Sequence, residues 1–267
     1  MKQTLLECVV PAGEILLRYF GKNPATRRKG DHSNIVTEAD LAAERWIVGH
    51  IRALHPTHSI VAEETGYDQR DPEFTWVIDP LDGTSNFAAG LPWFGVQVAL
   101  LHRGDPVLGA MYLPVPGTLY CAERGAGVWR DGTRVHVTAE ADLKNVLCGL
   151  GLDPAGSQME LQRQVHLLTQ LVQHVRNFRA TNCLVDMCTT VDGRLGAFIN
   201  LNTKIWDIAP VSLMLPEAGG RLTDLAGQPI VFRLDTDPVD RTYAVVGASA
   251  ALHPQVLAVI RSALANQ

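Results

Sequence analysis

A chain of 267 residues that is 46% hydrophobic and 19% charged can bury a sizeable core without crosslinks, as one large domain or two closely packed halves. Its five cysteines, Cys8, Cys121, Cys148, Cys183 and Cys188, are odd in number, scattered and never spaced as CxxC, which suggests neither a disulfide framework nor a zinc site and fits a reducing, cytoplasmic setting. A net charge of −5, with Arg27-Arg28-Lys29 as the one compact basic cluster, argues against a nucleic-acid partner; a start broken by Glu7, Glu14 and Arg18 argues against a signal peptide or a membrane span.

No repeat or linker divides the chain, so residues 1–267 are expected to form a single domain, with an N-terminal α+β part over 1–140 and a C-terminal α/β part over 141–267. Leu5, Leu6, Val9, Val10, Leu16 and Leu17 space like one helix face over residues 3–20, and Gly21 is placed to end it. Thr37-Glu38-Ala39-Asp40 resembles a capping box with the shorter acid, opening a helix whose Leu41, Trp46, Ile47 and Ile51 recur at helical spacing up to His55-Pro56. From Ser59 the texture changes. Ile60-Val61-Ala62 and Trp76-Val77-Ile78 are short apolar runs that lead directly into acidic residues, the pattern of buried strands delivering carboxylates at their ends. Runs at 96–101, 107–113, 119–122 and 128–130, separated by Gly, Pro and Asp-Gly turns, predict a largely antiparallel sheet. The second half alternates, with helices at 158–175, 183–192, 207–218 and 253–265 and strands at 196–200 and 242–248, which predicts an α/β layer packed on that sheet. Pro216 is awkward inside the 207–218 helix, because an interior proline removes a backbone bond and tends to kink it.

The segment Asp79-Pro80-Leu81-Asp82-Gly83-Thr84 carries the chemistry. Pro80 biases Asp79 towards an extended conformation, and the strand is expected to break there. In the resulting turn Asp79, Asp82 and the carbonyl of Leu81 can face one point, while Gly83 permits a positive φ or a close backbone approach and the Gly83-Thr84-Ser85 amides open a helix as a phosphate cradle. Hard oxygen donors with no histidine or thiol nearby favour magnesium, manganese or calcium, and Glu63-Glu64 at the end of the preceding strand adds a further carboxylate. Five chosen residues at roughly 5% frequency each recur by chance in about one chain in ten thousand of this length. The segment therefore points to a hard-cation site beside a phosphate cradle.

With these residues in hand, the chain resembles the inositol monophosphatase family, the magnesium-dependent, lithium-sensitive type. The resemblance rests on Val36-Thr37 with Asp40, on Val61-Ala62-Glu63-Glu64-Thr65, on Trp76 through Phe87, and on Trp206-Asp207-Ile208-Ala209-Pro210 with Glu217-Ala218-Gly219-Gly220. It implies a layered αβαβα sandwich of the inositol monophosphatase and fructose-1,6-bisphosphatase type, and a homodimer. It also implies metal ligands at Glu63, Asp79, Asp82, Asp207 and the Leu81 carbonyl; read by itself, Asp207 is an acidic residue starting a helix, where the helix dipole explains it. Two magnesium ions are expected, one on Glu63, Asp79 and Leu81 and one on Asp79, Asp82 and Asp207, with a third, weaker ion on Glu63. Catalysis is expected from Glu63 and from Thr84 paired with Asp40; phosphate and substrate contacts are expected from Lys29, Asp82, Gly83, Thr84 and Asp207, and from Thr181, Asn182, Cys183 and Asn200.

The last four positions depart from the family. Inositol-specific members carry an acidic residue seven positions before the Trp-Asp aspartate, where this chain has Asn200, and a small Gly-Thr/Ser-Ala element where it has Thr181-Asn182-Cys183. An amide can still accept one hydroxyl proton but carries no charge and also donates. The substrate class therefore stays open between an inositol monophosphate-like or sugar phosphate and a nucleotide 3′-phosphate, sugar bisphosphate or histidinol phosphate. Arg179 or Lys204 would be the cation for a second anionic group. A non-catalytic module that binds a phosphorylated ligand or a protein is the competing class, set against by the complete set Asp40, Glu63, Asp79, Asp82, Thr84 and Asp207.

Overall fold

The computed structural model describes residues 1–22, 26–28, 35–152, 157–235 and 238–265. In chain order its elements are α1 (Lys2–Tyr19), β1 (Thr26–Arg28), β2 (Ile35–Thr37), α2 (Glu38–Leu54), β3 (His58–Ala62), β4 (Gly66–Asp68), β5 (Asp71–Asp82), α3 (Thr84–Ala88), β6 (Gly95–His102), β7 (Asp105–Leu113), β8 (Thr118–Glu123), β9 (Gly127–Arg130) and β10 (Thr133–Val135). They continue with β11 (Leu147–Gly151), α4 (Gln158–His174), β12 (Asn177–Arg179), α5 (Leu184–Val191), β13 (Ala197–Thr203), α6 (Ile205–Glu217), β14 (Gly220–Asp224), β15 (Tyr243–Ser249) and α7 (His253–Ala265).

Five layers result. Helices α1 and α2 cover one face of an eight-stranded sheet ordered β10-β9-β8-β7-β6-β5-β3-β4, and α5 and α6 lie between it and a five-stranded sheet ordered β12-β11-β13-β15-β14. Helices α4 and α7 close the far side. This is the αβαβα sandwich. Each interface is an apolar cluster fed by the expected periodicities: Leu5, Val9 and Leu16 of α1 meet Ile47 and Ile51 of α2 and Trp76 and Ile78 of β5. Helix α6 is apolar on nearly every side, as a helix packed between two sheets must be, with Ile205, Ile208, Ala209, Val211, Met214 and Leu215 all buried. No helix among the described residues is long and apolar enough to cross a membrane.

One expectation is corrected. The strand does not break at Asp79: β5 runs on to Asp82, because a bulge absorbs Pro80. Asp79 faces Gln97 and Asp82 faces Gly95 on β6, so three steps on one strand match two on the other. The helix expected over 207–218 is found as α6, and Pro216 does not cut it short. The proline lies in the last turn, and the Ala218 N–H still reaches the Met214 carbonyl. Strands β11, β12 and β14 were not anticipated. In β11 the reason is its glycines: a Cβ on Gly149 would lie 2.9 Å from Asp186 Cγ and one on Gly151 3.1 Å from Asn200 Cγ, so packing demands residues of poor strand propensity.

Candidate active site

The bulge in β5 turns Asp79 and Asp82 towards one point, and α6 brings Asp207 to it as the third residue of its first turn. The three carboxylates each place an oxygen so that all lie within 4.8 Å of one another. Their other contacts fix them from behind. Asp79 Oδ1 accepts the Leu81 N–H (3.0 Å); Asp82 accepts Gln97 Nε2 (2.6 Å) and the Leu184 N–H at the start of α5 (2.8 Å). Asp207 Oδ2 accepts the Thr203 hydroxyl (2.6 Å) and the Lys204 N–H (2.7 Å), so it also caps its own helix. Glu63 follows β3 directly, its N–H on the Ile78 carbonyl (3.2 Å), and with Leu81, Gly83 and Thr84 it lines the same cavity of about 160 Å3.

The electrostatics are adverse by design. Burial, then the charges of Glu63, Asp82 and Asp207, hold the Asp79 carboxyl well above the ordinary range, despite the Leu81 N–H. Asp82 is raised by burial and by Asp207, with the Leu184 and Gln97 donors pulling the other way. Buried, mutually repelling, oxygen-only donors fit a hard divalent cation, which would remove the repulsion.

Beside the cluster, the Thr84 hydroxyl has one proton and two acceptors, Asp40 Oδ1 (3.2 Å) and the Leu81 carbonyl (3.0 Å). Asp40 is buried at the start of α2, where its Oδ2 accepts the Thr37 N–H (2.8 Å) and hydroxyl (2.5 Å), and the Thr37 hydroxyl in turn accepts the Ala39 N–H: the expected capping box. Gly83 is required twice over. Its φ is +88°, and a Cβ there would sit 2.6 Å from the Trp93 carbonyl. Asn86 Nδ2 ties that carbonyl (2.9 Å) to the carbonyl of Thr181 (2.8 Å), holding α3 against the loop before α5.

On the other side of the cavity stand Asn182, Cys183 and Asn200. Thr181 is not on its wall: its hydroxyl accepts the Cys183 thiol (3.4 Å) and its carbonyl holds Asn86. Burial pushes the Cys183 thiol well up. Lys204 is engaged elsewhere, its Nζ donating to the carbonyls of Val239 (3.0 Å) and Asp240 (2.9 Å), and Arg179 is exposed with Nη1 on the Phe178 carbonyl (2.7 Å). Lys29 lies outside the described residues. Sequence reasoning missed Gln97, Thr203 and Glu44. Gln97 had left a trace, a lone amide inside the apolar run Val96 to Leu101. Glu44, buried one turn after Asp40, accepts the Glu64 N–H (2.9 Å) and looked like any helix glutamate.

Residues 1–265 match the profile of the Inositol monophosphatase family. The Nus factor SuhB of Escherichia coli (strain K12) is 30% identical over 258 residues, which span 96% of this chain and 91% of that protein. Among solved structures, the extragenic suppressor protein suhB from Bartonella henselae superposes with a TM-score of 0.89 at 27% identity, covering 97% of both chains. An IMPase of Thermotoga maritima gives 0.86 at 26%, covering 98% of this chain and 96% of that one.

Proposed function

The chain belongs to the inositol monophosphatase family, and from that premise we propose that it hydrolyses small phosphate monoesters in a magnesium-dependent reaction. The observation that carries this reading is the convergence of three carboxylate oxygens within 4.8 Å, beside a threonine hydroxyl that shares its proton with a buried aspartate. In this reading Glu63, Asp79 and the Leu81 carbonyl hold one ion, Asp79, Asp82 and Asp207 a second, and Glu63 a third, weaker one. Bound there, magnesium supplies the positive charge that polarises the phosphoryl group and offsets charge building on the leaving oxygen.

The chain's own groups do the rest. When Thr84 donates to Asp40, its oxygen is left to accept from a water and point it at phosphorus, and Asp40 lies at the end of that path to take the proton. The Gly83 and Thr84 amides meet phosphate oxygens. Gln97, the Leu184 N–H and Thr203 hold the carboxylates so that little reorganisation remains when substrate arrives. A homodimer in the cytoplasm acting on a small metabolite is part of the same reading.

Purified protein should release inorganic phosphate from a panel of small monoesters with magnesium and stop in excess chelator. Asp82→Asn removes one ligand charge and turns an amide towards Gln97 and the Leu184 N–H; a rate loss of more than about 100-fold is expected. Undiminished turnover in a folded Asp82→Asn protein would overturn the assignment.

A second reading comes from the names of relatives, since the Escherichia coli protein is called a Nus factor. If that role carries over, hydrolysis is not what the cell needs from this chain. Rescue of a deletion strain by the Asp82→Asn protein as fully as by the unaltered one would favour it.

A further inference from the structure

The cavity has a second wall whose hydrogen-bonding polarity can be worked out. Strands β12, β11 and β13 are mutually parallel, so their carboxyl ends emerge at one edge of the five-stranded sheet, and such edges are where open α/β sheets present groups to ligands. Asn200 stands near the end of β13, opposite Gly151 at the end of β11, and lies over it where any larger residue would collide. Asn182 stands just beyond β12 in the left-handed region, with φ +54°, which asparagine tolerates better than most residues.

A side-chain amide has two N–H donors and a carbonyl oxygen with two lone pairs, and which atom points where follows from its fixed neighbours. Here the neighbours are backbone N–H groups, which can only donate. Asn200 Oδ1 accepts the Asn202 N–H (3.1 Å), a local turn that coincides with the register shift between Asn200 and Thr203. Asn182 Oδ1 accepts the N–H of Leu152, directly after β11 (2.6 Å). Both carbonyl oxygens are thus committed to the main chain. What Asn200 adds to the cavity is predominantly donors, the reverse of an acidic side chain.

We infer that the leaving alcohol of the substrate carries a hydrogen-bond acceptor, the oxygen of a carboxylate or carbonyl, at the position facing Asn200; the substrates are phosphate esters of small hydroxy acids rather than of cyclic polyols. This rests on the phosphomonoesterase reading of the same cavity. A polyol hydroxyl can also accept from the amide, but its own proton finds no acceptor in the Asn200 N–H groups. A carboxylate or carbonyl oxygen accepts with no proton of its own to place.

The test compares 3-phosphoglycerate and 2-phosphoglycolate with myo-inositol 1-phosphate and glycerol 2-phosphate, with 4-nitrophenyl phosphate as a generic ester. kcat/KM for the carboxylate-bearing pair should exceed that for the polyol pair at least tenfold, chiefly through KM. Asn200→Asp keeps the local turn, since its carboxylate still accepts the Asn202 N–H, but has no N–H to offer; it should cut that ratio at least tenfold. Equal or better turnover of the polyol esters by the unaltered protein, or an unchanged ratio in a folded Asn200→Asp protein, overturns the inference. If no ester at all is hydrolysed, the phosphomonoesterase reading fails. The inference is then decided by calorimetry of 3-phosphoglycerate against inositol 1-phosphate with magnesium present, where equal affinity rejects it.

Discussion

Asp186 shows how a single residue can be silent in the sequence and conspicuous in the fold. It lies in the first turn of α5, where the helix dipole is explanation enough for an acid, yet its side chain is buried and Oδ1 finds no hydrogen-bond partner among the described residues. Burial raises its carboxyl from 3.8 to about 6, against the lowering effect of the Thr181 hydroxyl and N–H. A carboxyl raised on folding favours the folded state while protonated; that contribution is complete below 3.8 and lost as pH climbs through about 6. The shift corresponds to roughly 3 kcal/mol at most. Asp186→Asn should therefore raise the thermal midpoint by several degrees at pH 8 and by little at pH 4; a midpoint difference that stays constant across that range would remove burial of the charge as its cause. Asp79 and Asp82, by contrast, were legible because Pro80 and Gly83 directly follow them. Backbone chemistry announces a turn, whereas burial of a lone acid is settled only by what packs over it.

Among the elements, α2 does more than its capping box suggests. Asp40 and Glu44, four residues apart, lie on one face of the helix: the first meets the Thr84 hydroxyl and the second the Glu64 N–H beside Glu63. In the proposed reading, one rigid rod thereby sets both the proton acceptor and a ligand-bearing loop. Glu44→Gln and Glu44→Ala should weaken magnesium binding about 10- to 100-fold, with kcat at saturating magnesium close to that of the unaltered protein. Magnesium titrations followed by both thermal midpoint and phosphate release would check this, and unchanged half-saturation would show that Glu44 merely fills space. The capping box itself could be read from Thr37 to Asp40, because it is a local pattern. The bulge in β5 and the low strand propensity that glycines give β11 could not, since each is imposed by a neighbouring strand or side chain.

At the scale of the whole molecule, the carboxylates belong to different layers: Asp79 and Asp82 to the eight-stranded sheet, Asp207 to the helix between the sheets. A cation held by all three ties layer to layer, and at 100 times its dissociation constant magnesium should add about 2.7 kcal/mol of stability. Because Asp79 and Asp82 are raised, protons compete for the same oxygens. The magnesium-induced rise in thermal midpoint should shrink from pH 8 to pH 5.5; an equal rise at both would argue that the ion binds elsewhere. The αβαβα layering was legible chiefly through the family resemblance, while periodicity alone reached only the helices and the larger strands. The same layering separates two kinds of inheritance. Asp82 is gripped by a buried glutamine and a helix start, so a lineage that alters it forfeits the chemistry. Asn182 and Asn200 stand at or just beyond the carboxyl ends of parallel strands, where a substitution that keeps an acceptor for the Leu152 or Asn202 N–H leaves the hydrogen bonds of the carboxylate cluster untouched. A descendant can therefore change its clientele by single steps at that edge and keep its trade.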